Sequence, residues 1–402
     1  MKRIAIINQF GTVPGESGYS RTHSICNSLV DGGFDVDLIT SSFNHWSKTF
    51  KNMDLYKPDM WKYRTIVLNS TAYGKNISYQ RLKSHRNFAK ALKQYLDGQN
   101  YDMIITIIPA LEAGKISAEY CNMHSIPFLI DLNDLWPEAF KMVIKNKFLY
   151  NTLTYPIKKQ SDKVYMSVDG VIGTSETYTN RPFKVNKKGA RKLTVYVGTD
   201  MDVFDKGAEG YISNIEKPEN EFWVTYAGSL GTSYDIHTLM KAGGILAKKG
   251  YDKIRIYILG DGPLRQAFEQ TGIDSGCNAC YLGYTKYPQM AAYLKKSDVL
   301  VNSFVRSAPQ SIVNKVGDYL SAGKPMINTC SDVEMRELVD RYKFGENVIA
   351  EDEEKLADLI EKLYNNKELC KVYSQNARKT AEVYFDRKTS YQEIVKFAKS
   401  FF

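Results

Sequence analysis

No apolar run in this 402-residue chain reaches the length of a bilayer-spanning helix: the longest, Met103 to Leu111, falls far short of the roughly 20 residues required. Cysteine is scarce, six in all, too few for a disulfide framework. Cys277 and Cys280 form a lone C-x-x-C with no second ligand pair, so neither a zinc site nor a redox site is expected. The first 30 residues carry Glu16 and no apolar h-region. The expectation is therefore no cleaved export signal, and a reducing cytoplasm as the compartment. Zinc-finger patterns, basic zippers, RNP-type aromatic motifs, short repeats and low-complexity tracts are all missing, and nucleic acid is not expected as a partner.

What is present is an uneven charge. Residues 1–200 hold 27 basic and 17 acidic side chains, whereas residues 201–402 hold 27 and 28. An excess of cations in one half suits an anionic partner on that side, although lysine-rich solvated helices give the same count. Arg81, Lys83, Arg86, Lys90 and Lys93 fall in one predicted helix. Residues 140–168 add Lys141, Lys145, Lys147, Lys158, Lys159 and Lys163 among Phe140, Phe148, Leu149 and Tyr150. Such stretches suit peripheral docking on an anionic lipid surface.

Short apolar runs alternate with amphipathic stretches. Strands are predicted at 4–7, 36–39, 65–68, 103–108, 128–131 and 171–173, with helices between several of them. The pattern restarts with strands at 222–226, 254–259, 280–282, 299–301 and 325–328, and helices at 235–249, 263–270, 287–296, 311–321, 351–364 and 367–383. Apolar strands separated by helices predict parallel sheets covered on both faces, hence two doubly wound α/β domains. Residues 204–220, with Gly207, Gly210 and Pro218, read as a linker. The predicted division is 1–203 and 204–387, with a last helix at 388–402 whose apolar stripe is unusual for a free tail. Sheets of this kind bind ligands beyond the carboxyl ends of their strands, here in a cleft between two facing domains.

Several motifs fall at such strand ends. The segment after the first strand carries Gly15, Ser17 and Gly18, followed by Arg21, a fixed positive charge near the start of a helix. Its spacing is not G-x-G-x-x-G, which disfavours a nicotinamide enzyme. Asp131, Asn133 and Asp134 crowd against Trp136 at another strand end; Asp134 reads either as a cleft carboxylate or as the cap of a helix beginning at Pro137. In the second half, three successive exits carry Gly228, Ser229, Leu230 and Gly231, then Gly260, Asp261 and Gly262, then Leu282, Gly283 and Tyr284. The densest signal is S-A-P-Q-S-I-V-N-K-V-G-D-Y-L-S-A-G-K-P at 307–325. There Gln310, Ser311, Ile312, Asn314, Lys315 and Asp318 surround a predicted helix start. The amide groups of that start and Lys315 suit a diphosphate, and Asp318, one turn past Asn314, suits a ribose diol.

Taken in this order and spacing, these motifs resemble glycosyltransferase family 4, over nearly the whole chain. The resemblance rests also on N-D-L-W-P at 133–137 and V-G-T-D-M-D-V-F at 197–204. It implies the GT-B fold, with the last helix at 388–402 packed back on the first domain, and a retaining transfer of sugar from a nucleotide diphosphate, most simply a UDP-sugar. The implied acceptor is a lipid-linked or growing surface polysaccharide of the capsule or O-antigen kind. Asp318 matches the second acidic position of the family's E-x7-E element and would hold the ribose. Lys315 would neutralise the diphosphate, Asp134 would lie at the sugar end, and Gly15, Ser17, Gly18 and Arg21 would lie near the acceptor. The chain departs from the family at Gln310 (for glutamate), Asn133 (for histidine), and Ser229 and Tyr234 (for an arginine-lysine pair). Amides hydrogen-bond sugar hydroxyls but are no general bases. Asp200 and Asp202, and Asp35 and Asp37, suggest a metal by composition, but their placement argues against one, and no cofactor is expected. An epimerase or phosphorylase on the same fold, or a non-catalytic nucleotide-sugar-binding protein, are the alternatives.

Overall fold

Strand formation in the first half follows from unbroken β-branched and aliphatic runs. The strands are β1 (Arg3–Ile7), β2 (Asp35–Ser41), the short hairpin β3 (Phe43–Asn44) and β4 (Thr49–Phe50), β5 (Arg64–Leu68), β6 (Met103–Ile108), β7 (Phe128–Leu132), β8 (Gly170–Gly173) and β9 (Arg191–Thr194). The computed structural model describes residues 1–17, 21–57, 59–142, 144–308 and 312–402. Seven strands form one parallel sheet in the order β5-β2-β1-β6-β7-β8-β9. Every side chain of β6 is buried, as expected for a strand covered on both faces. The two faces build separate cores. Ala5 and Ile7 join Phe88, Leu92 and Val164 on one side, and Ile4 and Ile6 join Ile25, Leu29 and Phe34 on the other.

The second half repeats the plan with β10 (Phe222–Ala227), β11 (Ile254–Leu259), β12 (Ala279–Gly283), β13 (Val299–Asn302), β14 (Met326–Asn328) and β15 (Gly345–Asn347). These form a parallel sheet ordered β12-β11-β10-β13-β14-β15. The order reverses between β10 and β13, so the loops leaving these two strands diverge and leave a crevice at their carboxyl ends. In the first sheet the same reversal lies between β1 and β6.

The chain divides into two compact units, Met1–Tyr196 with Tyr391–Phe402, and Val197–Ser390. The segment expected as a linker is instead largely the helix Met201–Ile212, capped by Asp200, whose side chain accepts from Val203 N. Phe204 and Ala208 are fully buried. Gly207 does not break this helix because it faces a neighbour: a Cβ there would lie 3.1 Å from Pro288, on the helix Tyr287–Lys296. The expected helix over 388–402 is Gln392–Lys399, preceded by a separate turn at Arg387–Ser390. Tyr391, Ile394, Val395 and Ala398 are buried in the core of the first unit. Gly32 admits this segment, since a Cβ there would sit 2.4 Å from Val395 Cγ1.

Candidate functional site

In the second unit the three glycine exits are stitched to one another. Gly228 N donates to Leu259 O (2.9 Å), Gly260 N to Gly283 O (2.8 Å), Leu230 N to Asp261 O and Leu264 N to Leu230 O (3.0 Å each). The turns thereby form one continuous rim at the ends of β10, β11 and β12. Backbone contact this close requires glycine. Gly260 has φ +141°, and a Cβ there would lie 1.8 Å from Gly228 O. Gly260→Ala is expected to destabilise the second unit by about 3 kcal/mol or more, a fall in Tm of about 6–12 °C; calorimetry of the variant checks this. On the rim Leu230 is fully buried, Gly262 backs onto Leu230, Asp261 accepts from Gly262 N, and Ser229 and Tyr284 face solvent.

Lys315 stands beside this rim. Its helix runs Asn314–Ser321 rather than from Ser311, and Val313 before it supplies no side-chain cap. The first-turn N–H groups therefore lack a side-chain acceptor at the cap position. Tyr319 pins the helix to the end of β10, its hydroxyl accepting from Ala227 N (2.7 Å) and donating to Ala227 O (3.1 Å). Lys315 Nζ then donates to Tyr226 Oη (3.1 Å) and lies 4.2, 4.1 and 5.4 Å from the ring centres of Tyr226, Tyr234 and Phe304. Val305 N donates to Ser233 O, tying the exits of β10 and β13 together and placing Tyr234 and Phe304 on the same cation. Burial in this aromatic cage lowers the lysine pKa to about 7. The cage also needs Gly228, where a Cβ would lie 2.8 Å from Nζ.

Asp318, one helical turn on, meets different partners. Its Oδ1 accepts from Thr199 Oγ1 (2.8 Å) and Tyr287 Oη (2.7 Å), and burial raises its pKa against the pull of these two hydroxyls. Gly317 lets the helix approach the 198–199 backbone, with a hypothetical Cβ only 2.7 Å from Thr199 Oγ1. A ribose diol would share this carboxylate with two protein hydroxyls. Asn314 is exposed and Ile312 buried; Gln310 and Ser311 lie outside the described residues.

The first unit treats its predicted residues differently. Arg21, expected to offer its charge to an anion, is 1% exposed and fully engaged. Its Nε and Nη2 donate to both oxygens of buried Asp131 (3.1 and 3.0 Å), and Nη1 donates to Tyr196 O and Tyr391 Oη. Asn133 Nδ2 donates to Asp131 Oδ2 (2.8 Å), completing that carboxylate instead of facing a ligand. Asp134 accepts from Leu135 N and Trp136 Nε1, and burial raises its pKa. Gly15, with φ +94°, and Ser17 are exposed, and Gly18 lies outside the described residues. Of the basic helix, Lys83, Arg86, Lys90 and Lys93 are exposed, whereas Arg81 folds inward over Trp136 and Phe10.

The aspartates that suggested a metal have structural roles. Asp200 caps its helix, Asp202 faces Lys388 (3.6 Å), Asp35 pairs with Arg64 (2.9 Å), and buried Asp37 is held by Arg3 and Arg64. Cys277 and Cys280 both have raised pKa values through burial.

Residues 221–366 match the family model described as Glycosyl transferases group 1. EpsD of Bacillus subtilis (strain 168), named as a glycosyltransferase, is 22% identical over 313 residues, covering 75% of this chain and 77% of that protein. Among solved structures, sucrose-phosphate synthase from Thermosynechococcus elongatus superposes with a TM-score of 0.74 at 17% identity, covering 100% of this chain and 99% of the other. Anabaena HepE in complex with UDP gives 0.70 at 15% identity over 100% of both chains. The chain thus has the GT-B fold, and the match to the glycosyl transferases group 1 family falls within its second unit.

Proposed function

We propose that the protein is a retaining glycosyltransferase that moves a sugar from a UDP-sugar to a lipid-linked or growing surface-polysaccharide acceptor without a metal. The observation that carries this reading is the caged Lys315 beside an uncapped helix start at the β10/β13 reversal, next to a rim of glycine turns stitched backbone to backbone at the ends of β10, β11 and β12. A diphosphate needs that combination: N–H groups to receive oxygens, one cation to offset charge, and no side chains in the way. HepE, which shares the fold, forms crystalline complexes with UDP and with UDP-glucose. In this reading Lys315, protonated as the diphosphate arrives, stabilises the leaving group, Asp318 holds the ribose, and the diphosphate helps deprotonate the acceptor. Positioning and electrostatics then supply the rate, with no side-chain base required.

Thermal shift across UDP-, GDP- and dTDP-sugars tests the donor. A UDP-sugar at 100 times its Kd adds about 2.7 kcal/mol, and the other two are expected to add less. Release of UDP from that sugar in excess EDTA is expected at an undiminished rate. Loss of activity on chelation overturns the metal-free mechanism, and binding without any turnover makes the protein a binding module.

The acceptor side suits a lipid surface. No helix among the described residues is long and apolar enough to cross a membrane. On the helix Lys147–Ser167, however, Phe148, Leu149, Leu153 and Tyr155 are exposed beside Lys145, Lys147, Lys158, Lys159 and Lys163. Each basic residue near an anionic surface contributes about 1 kcal/mol. Sedimentation with phosphatidylglycerol vesicles is expected at low salt, to disappear at high salt, and to weaken in Phe148→Ser/Leu149→Ser; salt-independent behaviour or no binding refutes it.

A further inference from the structure

The first unit draws two other arginines largely out of water and matches each with carboxylates: Arg21 with Asp131, and Arg181 with Glu138 and Asp162. Arg81 breaks that pattern. Its guanidinium lies 4.6 Å above the Trp136 ring and 5.5 Å from Phe10, with Nη1 donating to Asn76 O (2.8 Å). Its Nε is buried and has no hydrogen-bond partner, and no carboxylate lies within ion-pair distance among the described residues. None of the residues outside the description is acidic. Asp134, whose charge reaches Arg81, is turned to Leu135 N and Trp136 Nε1.

Other groups around it are also unsatisfied. His85, 4% exposed and stacked on Trp136 at 5.9 Å, has a buried Nε2 with no partner, and Gln9, 2% exposed and next to Phe10, has a buried Oε1 with none. A second cation, Lys48, is close enough for Arg81 to depress its pKa. Two cations sharing one region with no carboxylate in ion-pair contact, and with the buried Arg81 Nε donor unused, is costly unless an anion completes the set. With Nη1 taken by Asn76 O, the guanidinium held over the indole keeps Nε and Nη2 as a planar fork, the geometry that grips a carboxylate or phosphate with two parallel bonds.

We propose that Arg81, with His85, is a recognition site for an oxyanion, carboxylate or phosphate, at the carboxyl-terminal edge of the first sheet. Resting on the glycosyltransferase reading, that oxyanion belongs to the acceptor, which is then an acidic or phosphorylated glycan. The Trp136 indole N–H resonance, assigned by its loss in Trp136→Phe, reports on the site directly. Sodium glucuronate and glucose 6-phosphate are titrated into the full chain, with glucose as the neutral control. A saturable shift with one or both anions and none with glucose is expected. Glucuronate alone identifies a carboxylate, glucose 6-phosphate alone a phosphate. Arg81→Gln is expected to weaken binding at least tenfold, and Arg81→Lys, which keeps the charge but loses the fork, by less. UDP affinity should stay unchanged in both. The resonances of Trp46, Trp61 and Trp223 check that each variant is folded; if Arg81→Gln is not, Arg81→Lys carries the test. No shift with either anion, or wild-type affinity in the folded variants, overturns the proposal. A chain that fails to bind UDP counts against the donor site and leaves this titration unaffected.

Discussion

Lys315→Met is expected to lower the rate of sugar transfer by about 10²–10³-fold, the loss seen when one preorganised charge is taken from a developing anion. Methionine fills the cage of Tyr226, Tyr234 and Phe304 but brings neither proton nor charge. The sharper signature is in pH. Burial in the cage holds Lys315 at a pKa of about 7, well below its ordinary 10.5. A bound diphosphate favours the ammonium and raises that pKa, so the complex holds more protons than the free protein above pH 7. UDP affinity should therefore rise as pH falls from 9 to 7 and flatten below. Calorimetry in two buffers of different ionisation heat should find proton uptake on binding near pH 8. Lys315→Met should erase both effects. Stability moves the other way: between pH 7 and 10.5 the unfolded chain holds the lysine proton and the folded chain does not, so folding gains as pH rises through that window. The methionine variant loses this dependence and should melt higher than wild type at pH 7 while transferring almost no sugar. A variant with unchanged kinetics and an unchanged pH profile removes Lys315 from the site.

Ending the chain before Tyr391 should cost the first unit far more than a frayed tail would. Tyr391, Ile394 and Ala398 are fully buried and Val395 is 4% exposed. A buried aliphatic or aromatic side chain contributes about 1.5–3 kcal/mol. Arg21 would lose the Tyr391 hydroxyl (3.0 Å) and the ring beneath it (5.1 Å), loosening the ion pair that joins the first helix to β7. A loss of about 5 kcal/mol and a Tm lower by about 10–20 °C are expected. UDP binding by the second unit, which contains none of these residues, should be retained. A truncated chain that melts with wild type contradicts the packing.

The strands most legible in the sequence are those buried on both faces, which need continuous Ile, Leu and Val; the edge strands β5 and β12, only half-buried, were found because they too carry short apolar runs. Besides the two-residue strands of the β3–β4 hairpin, the strands it missed in the two parallel sheets are β9 and β15: Arg191 and Lys192 in β9 are exposed, and β15 is only Gly345–Asn347. Both close the sheets at an edge, where one side needs no apolar cover. The helix at 201–212 was hidden because glycine reads as a breaker, while Gly207 is a packing surface. The glycine rim at 228, 260 and 283 was legible, since only glycine tolerates such turns. The walls of the lysine cage were not. Tyr226 and Phe304 come from strands far apart in sequence, and Tyr234 registered only as a missing lysine. The engagement of Arg21 was hidden for the same reason. A charge looks available until the fold supplies its partner, and Asp131 lies far from Arg21 in the chain while Arg81 receives none.

The residues that finish the first core, Tyr391–Phe402, follow the whole of Val197–Ser390 in the chain. A ribosome therefore delivers the second sheet complete while the first still lacks its final segment, with Ile25 and Leu29 uncovered on one flank. Domains fold as units while they emerge, so the second half can reach its native state first. The core of the opening half is sealed only once the closing residues arrive.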